Sequence, residues 1–275
     1  MADLANAARR SAQEPVRIRV ESKNWAERSA APVAVLIGLL VWEWAARTGH
    51  VKALFFPAPS FIAQTIWRMT TDGRLGVHMS ASVLRMLNGF LLGAVPGLTL
   101  GLLSGWSRRL RLIVDPIIAA AHPVPKVSLL PLVMIIFGMR EISKVIVIAI
   151  VCFFPMMINA AAAVREIPPI YYEVAENYGA SMRRLLTRVV APAALPLILN
   201  AVRLSLNSAL TLTLAVELVA TRQGLGTLIW LAWETLRTEE LYAVITVTAL
   251  LGISMNLILH RLYQILVPWQ VERTR

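Results

Sequence analysis

The sequence predicts an all-α integral membrane protein with about six transmembrane helices, and three observations carry that expectation. Of its 275 residues 57% are hydrophobic and 16% charged, with a mean hydropathy of +0.64, more apolar than an ordinary soluble domain. Six stretches approach the roughly 20 mainly apolar residues that cross a bilayer as a helix. Lys and Arg gather between those stretches instead of lying along one face with aromatic residues interleaved. The net charge of +11 is therefore read as membrane topology and not as a nucleic-acid footprint.

Residues 1–30 form a basic arm carrying Arg9, Arg10, Arg17, Arg19, Lys23 and Arg28. The arm lacks an apolar core of signal-peptide length, which argues against a cleaved secretory signal. The first span is expected at 31–47, short enough to use Trp25 and Arg47 as interfacial anchors. An external connector follows over 48–82, with Phe55-Phe56-Pro57-Ala58-Pro59-Ser60 near its start. Its prolines enforce an extended entry, and Ser60 is placed to cap a surface-lying helix over 61–69.

The remaining spans are expected at 83–106, 112–138, 142–164, 204–220 and 242–267, within a core of 83–267 followed by a tail of 268–275. The span over 112–138 contains Pro116, Pro123, Pro125 and Pro131, each a lost backbone donor. In lipid such breaks survive where neighbouring helices or a wet cavity satisfy the freed carbonyls, so this span is expected inside, lining a channel.

Orientation follows from the cations. With the N-terminal arm in the cytoplasm, Arg108, Arg109, Arg111, Arg165, Arg183, Arg184, Arg188, Arg261, Arg273 and Arg275 lie inside; Arg47, Lys52, Arg68, Arg74, Arg140, Lys144, Arg222 and Arg237 lie outside. The bias, roughly two to one, puts both termini and the 165–192 loop in the cytoplasm. On the other side residues 221–241 hold Gly224-Leu225-Gly226, then Trp230 and Trp233, suited to a membrane interface. Their neighbours Glu234, Arg237, Glu239 and Glu240 could equally face a soluble partner.

Within 165–192 the chain turns polar: Glu173-Val174-Ala175-Glu176-Asn177-Tyr178-Gly179, then Arg183, Arg184, Arg188, Val189 and Pro192. On a helix starting near Pro168-Pro169, Glu173 and Glu176 offset the dipole in the first turns, and Arg183 and Arg184 do so towards the later end. Gly179 costs such a helix about 1 kcal/mol relative to Ala, so close packing or a sharp turn must require it.

Polar groups inside spans are costly and draw functional attention. Lys126 lies in the proline-broken span; Asn207, Thr211, Thr213 and Glu217 lie along the fifth, where Asn207 and Thr211 share a face, as do Thr213 and Glu217. They could line a translocation path, with Lys126 offering positive charge to an anion. The competing expectation is that they join helices by hydrogen bonds, with Lys126 snorkelling or pairing with Glu217. The single Cys152 excludes an intrachain disulfide and a CxxC metal site, and reads as a small packed hydrophobe. His50, His78, His122 and His260 are scattered without ligand-like spacing. No phosphate loop, H-E-x-x-H or G-x-S-x-G motif occurs, so the chain is not expected to bind or hydrolyse ATP through a phosphate loop or to carry those catalytic sites.

The 165–192 stretch resembles the EAA loop of binding-protein-dependent ABC importer permeases. Glu173, Ala175, Gly179, Val189 and Pro192 keep its register, while Val174 and Ala191 replace an Ala and a Leu of the pattern. Asp115-Pro116, the run from His122 to Leu132, Phe137-Gly138, Glu141, Ser143-Lys144, Glu217, Gly224-Leu225-Gly226 and Pro268-Trp269 are similar to the branch serving nitrate, sulfonates, taurine and bicarbonate. The resemblance implies a type I importer permease (MetI-like) fold in a bacterial inner membrane, with the loop as a cytoplasmic coupling helix docked on an ATPase. It implies a second permease copy, two ATPase subunits holding ATP and Mg, and an extracytoplasmic binding protein. This chain itself would be no enzyme and hold no cofactor. The expected cargo is a small anion such as a sulfonate, taurine or nitrate, with aromatic acids or a thiamine-precursor pyrimidine as alternatives. A secondary transporter or channel using Lys126 and Glu217 as coupling groups is the competing class. An intramembrane enzyme ranks last for want of a nucleophile and base.

Overall fold

A computed structural model of the protein describes residues 25–271, and these contain helices and turns but no strand. The helices are α1 (Trp25–Arg47), α2 (Pro59–Thr71), α3 (Arg74–Trp106), α4 (Arg108–Ala121), α5 (Leu130–Phe137), α6 (Glu141–Arg165), α7 (Pro169–Asn177), α8 (Met182–Leu185), α9 (Ala191–Ala220), α10 (Leu225–Glu234), α11 (Thr238–Leu266) and α12 (Pro268–Val271). A 3₁₀ turn (Lys126–Leu129) precedes α5, and a π-helical turn (Leu186–Val190) joins α8 to α9. The basic arm up to residue 24 and the tail from residue 272 lie outside the described residues, as does the side chain of Trp25.

Four helices are long and apolar enough to cross a membrane: α3, α6, the run Met182–Ala220, and α11. A fifth span results if α4 and Lys126–Phe137 are one crossing, bent by 88°. The first span expected at 31–47 falls in α1, which does not enter that count. Its Val35, Leu36, Leu40 and Trp44 are all turned outward.

Three expected boundaries move. The helix expected from Val83 begins at Arg74, because Gly73 (φ 77°) makes a left-handed entry and the Asp72 carboxylate accepts the Arg74 N–H at 3.0 Å. That hydrogen bond and the Arg74 guanidinium beside it hold the Asp72 carboxyl below its ordinary value. The fifth span starts well before 204, within a helix running from Met182. Ser60 does not cap α2: Ala58 occupies the cap position, Pro59 opens the helix, and the Ser60 N–H and Oγ are donated to the Glu43 carboxylate of α1 at 3.0 and 2.8 Å.

Small residues set the centre of the bundle. Gly89, Gly93, Gly97, Gly101 and Gly105 recur every fourth residue on α3 and face α6, matching Ile148, Ala149, Phe153, Met157 and Ala161 in the same order, so the two helices run parallel. A Cβ at Gly97 would lie 2.7 Å from the Phe153 carbonyl oxygen, and one at Gly93 would overlap the Ala149 backbone. Helices in lipid gain by such close approach, which larger side chains forbid. The third member, α9, lies against α6 with reciprocal bonds, Ser205 Oγ to the Cys152 carbonyl (3.2 Å) and Cys152 Sγ to the Ser205 carbonyl (3.5 Å). Met86, Val147, Ile148, Leu212 and Val216 fill the core between them. A second cluster, including Ile62, Met69, Leu75, Leu225, Leu228 and Val244, packs α2, α10 and α11 against the start of α3.

The proline-broken stretch, expected inside, is packed in this single chain through Leu130 and Val133 of α5, which enter the core. No residue of α4 is buried, and on α5 Ile135 and Ile136 are 81% and 65% exposed. The 88° bend turns both short helices out along the flank of the bundle, and the break finds its hydrogen bonds locally. The Pro125 carbonyl accepts from Ser128 Oγ at 2.6 Å, and the His122 carbonyl accepts from Lys126 Nζ.

Gly97→Leu is expected to lower the stability of the purified protein by about 1–3 kcal/mol or prevent folding, because the side chain must wedge two backbones apart. Gly76→Ala, on the same helix with nothing within 4 Å, should be neutral or stabilising by up to about 1 kcal/mol. Thermal unfolding of the two variants in detergent checks the contrast.

Candidate functional site

Two features lie at opposite ends of the bundle. α7 follows the end of α6 and precedes the run into α9, and so sits where α3 and α6 end. It is held from one side: Ala175 is buried, and Tyr172 packs with Leu102, Val164, Ile167, Leu185 and Val190 and edge-on against Trp106 at 6.1 Å. Burial pushes the Tyr172 phenol above its ordinary value. The other face presents Ile170, Tyr171, Val174 and Tyr178, which are 46% to 87% exposed, with Glu173 and Glu176 exposed among them.

The helix stops at Asn177, and the chain turns through Gly179 at φ +63° with open space where its Cβ would be. Of the two reasons a glycine was expected here, the sharp turn is the operative one. Arg183 and Arg184 consequently do not close α7 but lie on α8, beyond the turn. Val189 falls in the π-helical turn and Pro192 in the first turn of α9. Pro192 has no N–H for the Arg188 carbonyl and its ring crowds that group, which accounts for the widened turn just before it.

At the other end, where α3 and α6 begin and α9 ends, an ion pair is buried. Glu217 is 0% exposed and Arg85 5%. Arg85 Nη1 donates to Glu217 Oε1, its Nε donates to Glu141 Oε2 at 2.8 Å, and its Nη2 to the Gln223 carbonyl at 3.2 Å. Glu217 Oε2 also accepts from Ser82 Oγ (2.8 Å) and the Gly226 N–H (2.9 Å), while Ser82 Oγ accepts the Leu225 N–H (2.8 Å). Lys144 Nζ donates to Glu141 Oε1 at 3.1 Å. The Gly224-Leu225-Gly226 loop is thus wrapped around one carboxylate, and a side chain at Gly224 would occupy the Glu217 carboxyl group. Two charges this deep are tolerable only when paired and fully hydrogen-bonded.

The structure brings Glu173, Ala175, Gly179, Val189 and Pro192 together as one helix-turn-helix segment. It does not gather Lys126, Asn207, Thr211 and Glu217. Lys126 lies at the α4–α5 bend, its Nζ 4.9 Å from the centre of the Phe154 ring, so it does not pair with Glu217. Asn207 Oδ1 accepts from Asn256 of α11 at 3.2 Å, and the exposed Thr211 hydroxyl donates to the Asn207 carbonyl on its own helix at 3.0 Å. Glu240 is largely covered and lies 3.6 Å from both Arg74 and Arg237, while the exposed Glu239 takes the Thr65 hydroxyl at 3.5 Å. Sequence reasoning missed Arg85 and Ser82. An Arg inside an apolar span demands a buried carboxylate on another span, and that signal was available. Among the described residues no group of three or more His, Cys, Asp or Glu side chains could hold a metal ion.

Arg85→Met is expected to destabilise the protein by about 3–5 kcal/mol, since Glu217 is left buried without its partner. Arg85→Met/Glu217→Leu should recover at least half of that loss. Chemical or thermal unfolding of the purified single and double variants measures the difference.

Comparison with known proteins places these features in one family. Residues 97–271 match the binding-protein-dependent transport system inner membrane component family. SsuC of Bacillus subtilis, assigned as an aliphatic sulfonates transport permease protein, is 31% identical over 98% of this chain and 97% of its own length. The taurine transport system permease protein TauC of Escherichia coli is 33% identical over 89% and 90%, and the riboflavin transport system permease protein RibX of Chloroflexus aurantiacus 33% over 88% and 90%. Among solved structures, an inward-facing MetNI methionine ABC transporter chain superposes with a TM-score of 0.59 at 18% identity, covering 67% of this chain and 92% of that one. A bundle with a protruding α7, a turn at Gly179 and a Glu217 clamp therefore has a family, and the chain belongs to the inner membrane components of binding-protein-dependent transport systems.

Proposed function

We propose that this permease subunit of an ABC importer is driven through α7 by a separate ATPase subunit and carries a small organic anion, a sulfonate in the first instance, into the cytoplasm. The observation that carries the coupling role is the stance of α7. Its inner face is packed against the bundle, and its outer face offers Ile170, Tyr171, Val174 and Tyr178 to a partner, an exposed apolar patch of the kind that marks an interaction site.

The same cluster gives the force a route. Tyr172 touches the segment of Leu185 and Val190, which continues as the single run Met182–Ala220 of 39 residues, about 60 Å long at helical rise. Movement of α7 would be felt at Glu217 near the far end of that run. On the α7 side Arg108 opens α4 just beyond the end of α3, and Arg165 and Arg261 lie towards the ends of α6 and α11, which favours that side as cytoplasmic. In the same reading residues 1–30 and 268–275 are cytoplasmic, 48–73 face outward, and an extracytoplasmic binding protein delivers the cargo. The exposed Ile135 and Ile136 suit burial against a second permease copy. ATP and Mg belong to the ATPase subunits.

The sulfonate and taurine cargoes named for SsuC and TauC support an anion carrying a sulfonate group. The riboflavin of RibX keeps a neutral cargo as the alternative. The pairing of Glu217 with Arg85 leaves it a structural role and gives no support to a secondary transporter with Lys126 and Glu217 as coupling groups.

Gly179→Arg introduces a side chain at φ +63°, costing about 1–2 kcal/mol locally, and misdirects α7. Uptake in cells is expected to be lost and the ATPase subunit to stop co-purifying, while the protein still inserts in the membrane. Normal uptake with normal ATPase co-purification would sink the docking role of α7.

A further inference from the structure

The ends of α3, α6 and α9 remote from α7 enclose a cavity of about 940 Å³, a size suited to a small organic solute. Four cationic side chains line it, Arg85, Arg140, Lys144 and Arg222, against the single carboxylate Glu141. Arg85 and Lys144 are buried and already committed to Glu141 and Glu217. Arg140 and Arg222 are exposed, and among the described residues their side chains have neither an ion pair nor a hydrogen bond. The rest of the wall includes Leu84, Val145 and Val219.

We infer that this cavity is a binding site on the permease for a small organic monoanion, a sulfonate or carboxylate with a short alkyl tail. The inference rests on the importer reading only for the direction in which that ligand then moves. Arg85 and Lys144 balance Glu141 and Glu217, so the two guanidinium groups without counter-ions, Arg140 and Arg222, leave the recess with a net positive field that low-dielectric walls focus onto the opening. The planar guanidinium fork matches two oxygens of a sulfonate or carboxylate. Leu84, Val145 and Val219 supply the apolar surface for the tail, and the repulsion of Glu141 is offset by its pairing with Lys144 and Arg85. Lys126, one of the residues that the sequence offered for a translocation path, does not line this cavity.

The direct test uses the complete importer in lipid nanodiscs, without its binding protein, and radiolabelled 1-butanesulfonate. Saturable binding is expected, weakened about tenfold by Arg140→Gln and about a hundredfold by Arg140→Gln/Arg222→Gln, as loss of one and two charge-assisted contacts requires. Arg140→Lys/Arg222→Lys should keep binding within about tenfold of the unsubstituted protein. Absence of saturable binding, or equal binding by the double Gln variant, overturns the site. ATP-driven uptake of the same compound into liposomes by the importer with its binding protein is scored separately. Binding through these arginines without uptake upholds the site and overturns the cargo reading; uptake undiminished in the double Gln variant overturns the site alone.

Discussion

The contact between the backbones of α3 and α6 is the constraint on which the rest of this protein depends. Glycines at every fourth position of α3 let the two parallel helices meet where any side chain would overlap a carbonyl group. Parallel neighbours need a crossover, and α4 and α5, bent at 88°, supply it on the flank. The starts of both helices are thereby held side by side, which brings Arg85 of α3 within 2.8 Å of Glu141 of α6. α9, laid antiparallel on this pair, brings the Glu217 carboxylate to Arg85.

From that geometry follows a bundle with two unlike ends. One end is locked: Glu217 binds Ser82, Arg85 and Gly226 at once and so joins α3, α9 and the loop into α10. At the other, α7 is anchored through Tyr172 and Ala175 yet offers its aliphatic and aromatic face outward, the face that the proposed coupling role assigns to the ATPase subunit. The long run from Met182 to Ala220 connects them. Its π-helical turn, opened ahead of Pro192, is the one irregular point in that run and lies next to the cluster holding α7. Such widened turns recur where helices do functional work.

The two ends differed in how readable they were. Glu173, Gly179 and Pro192 lie within twenty residues of one another, so a local pattern resembling the EAA loop exposed the α7 segment, and hydropathy exposed the spans. Arg85 escaped because its partner is 132 residues away and an apolar window averages one charge out of sight. The early start of α3 was written in Asp72-Gly73 but outweighed by the polar residues that follow. Four prolines announced a break in the third span correctly, yet proline count says nothing about which way the chain bends. Lys126 and Glu217 were both recognised as costly intramembrane charges. Pairing them was wrong because Arg85, one helix closer, satisfies Glu217 first.

Whether the α7 end commands the far end is measured by attaching nitroxide labels at Val219, which is 80% exposed near the end of α9, in an importer holding two copies of the permease. Distances between the two labels are recorded by pulsed electron resonance with and without ATP and vanadate on the ATPase subunits. A distance distribution that shifts when nucleotide is trapped is the expected result. A distribution unmoved by nucleotide, in an importer that hydrolyses ATP, would contradict transmission from α7 through α9.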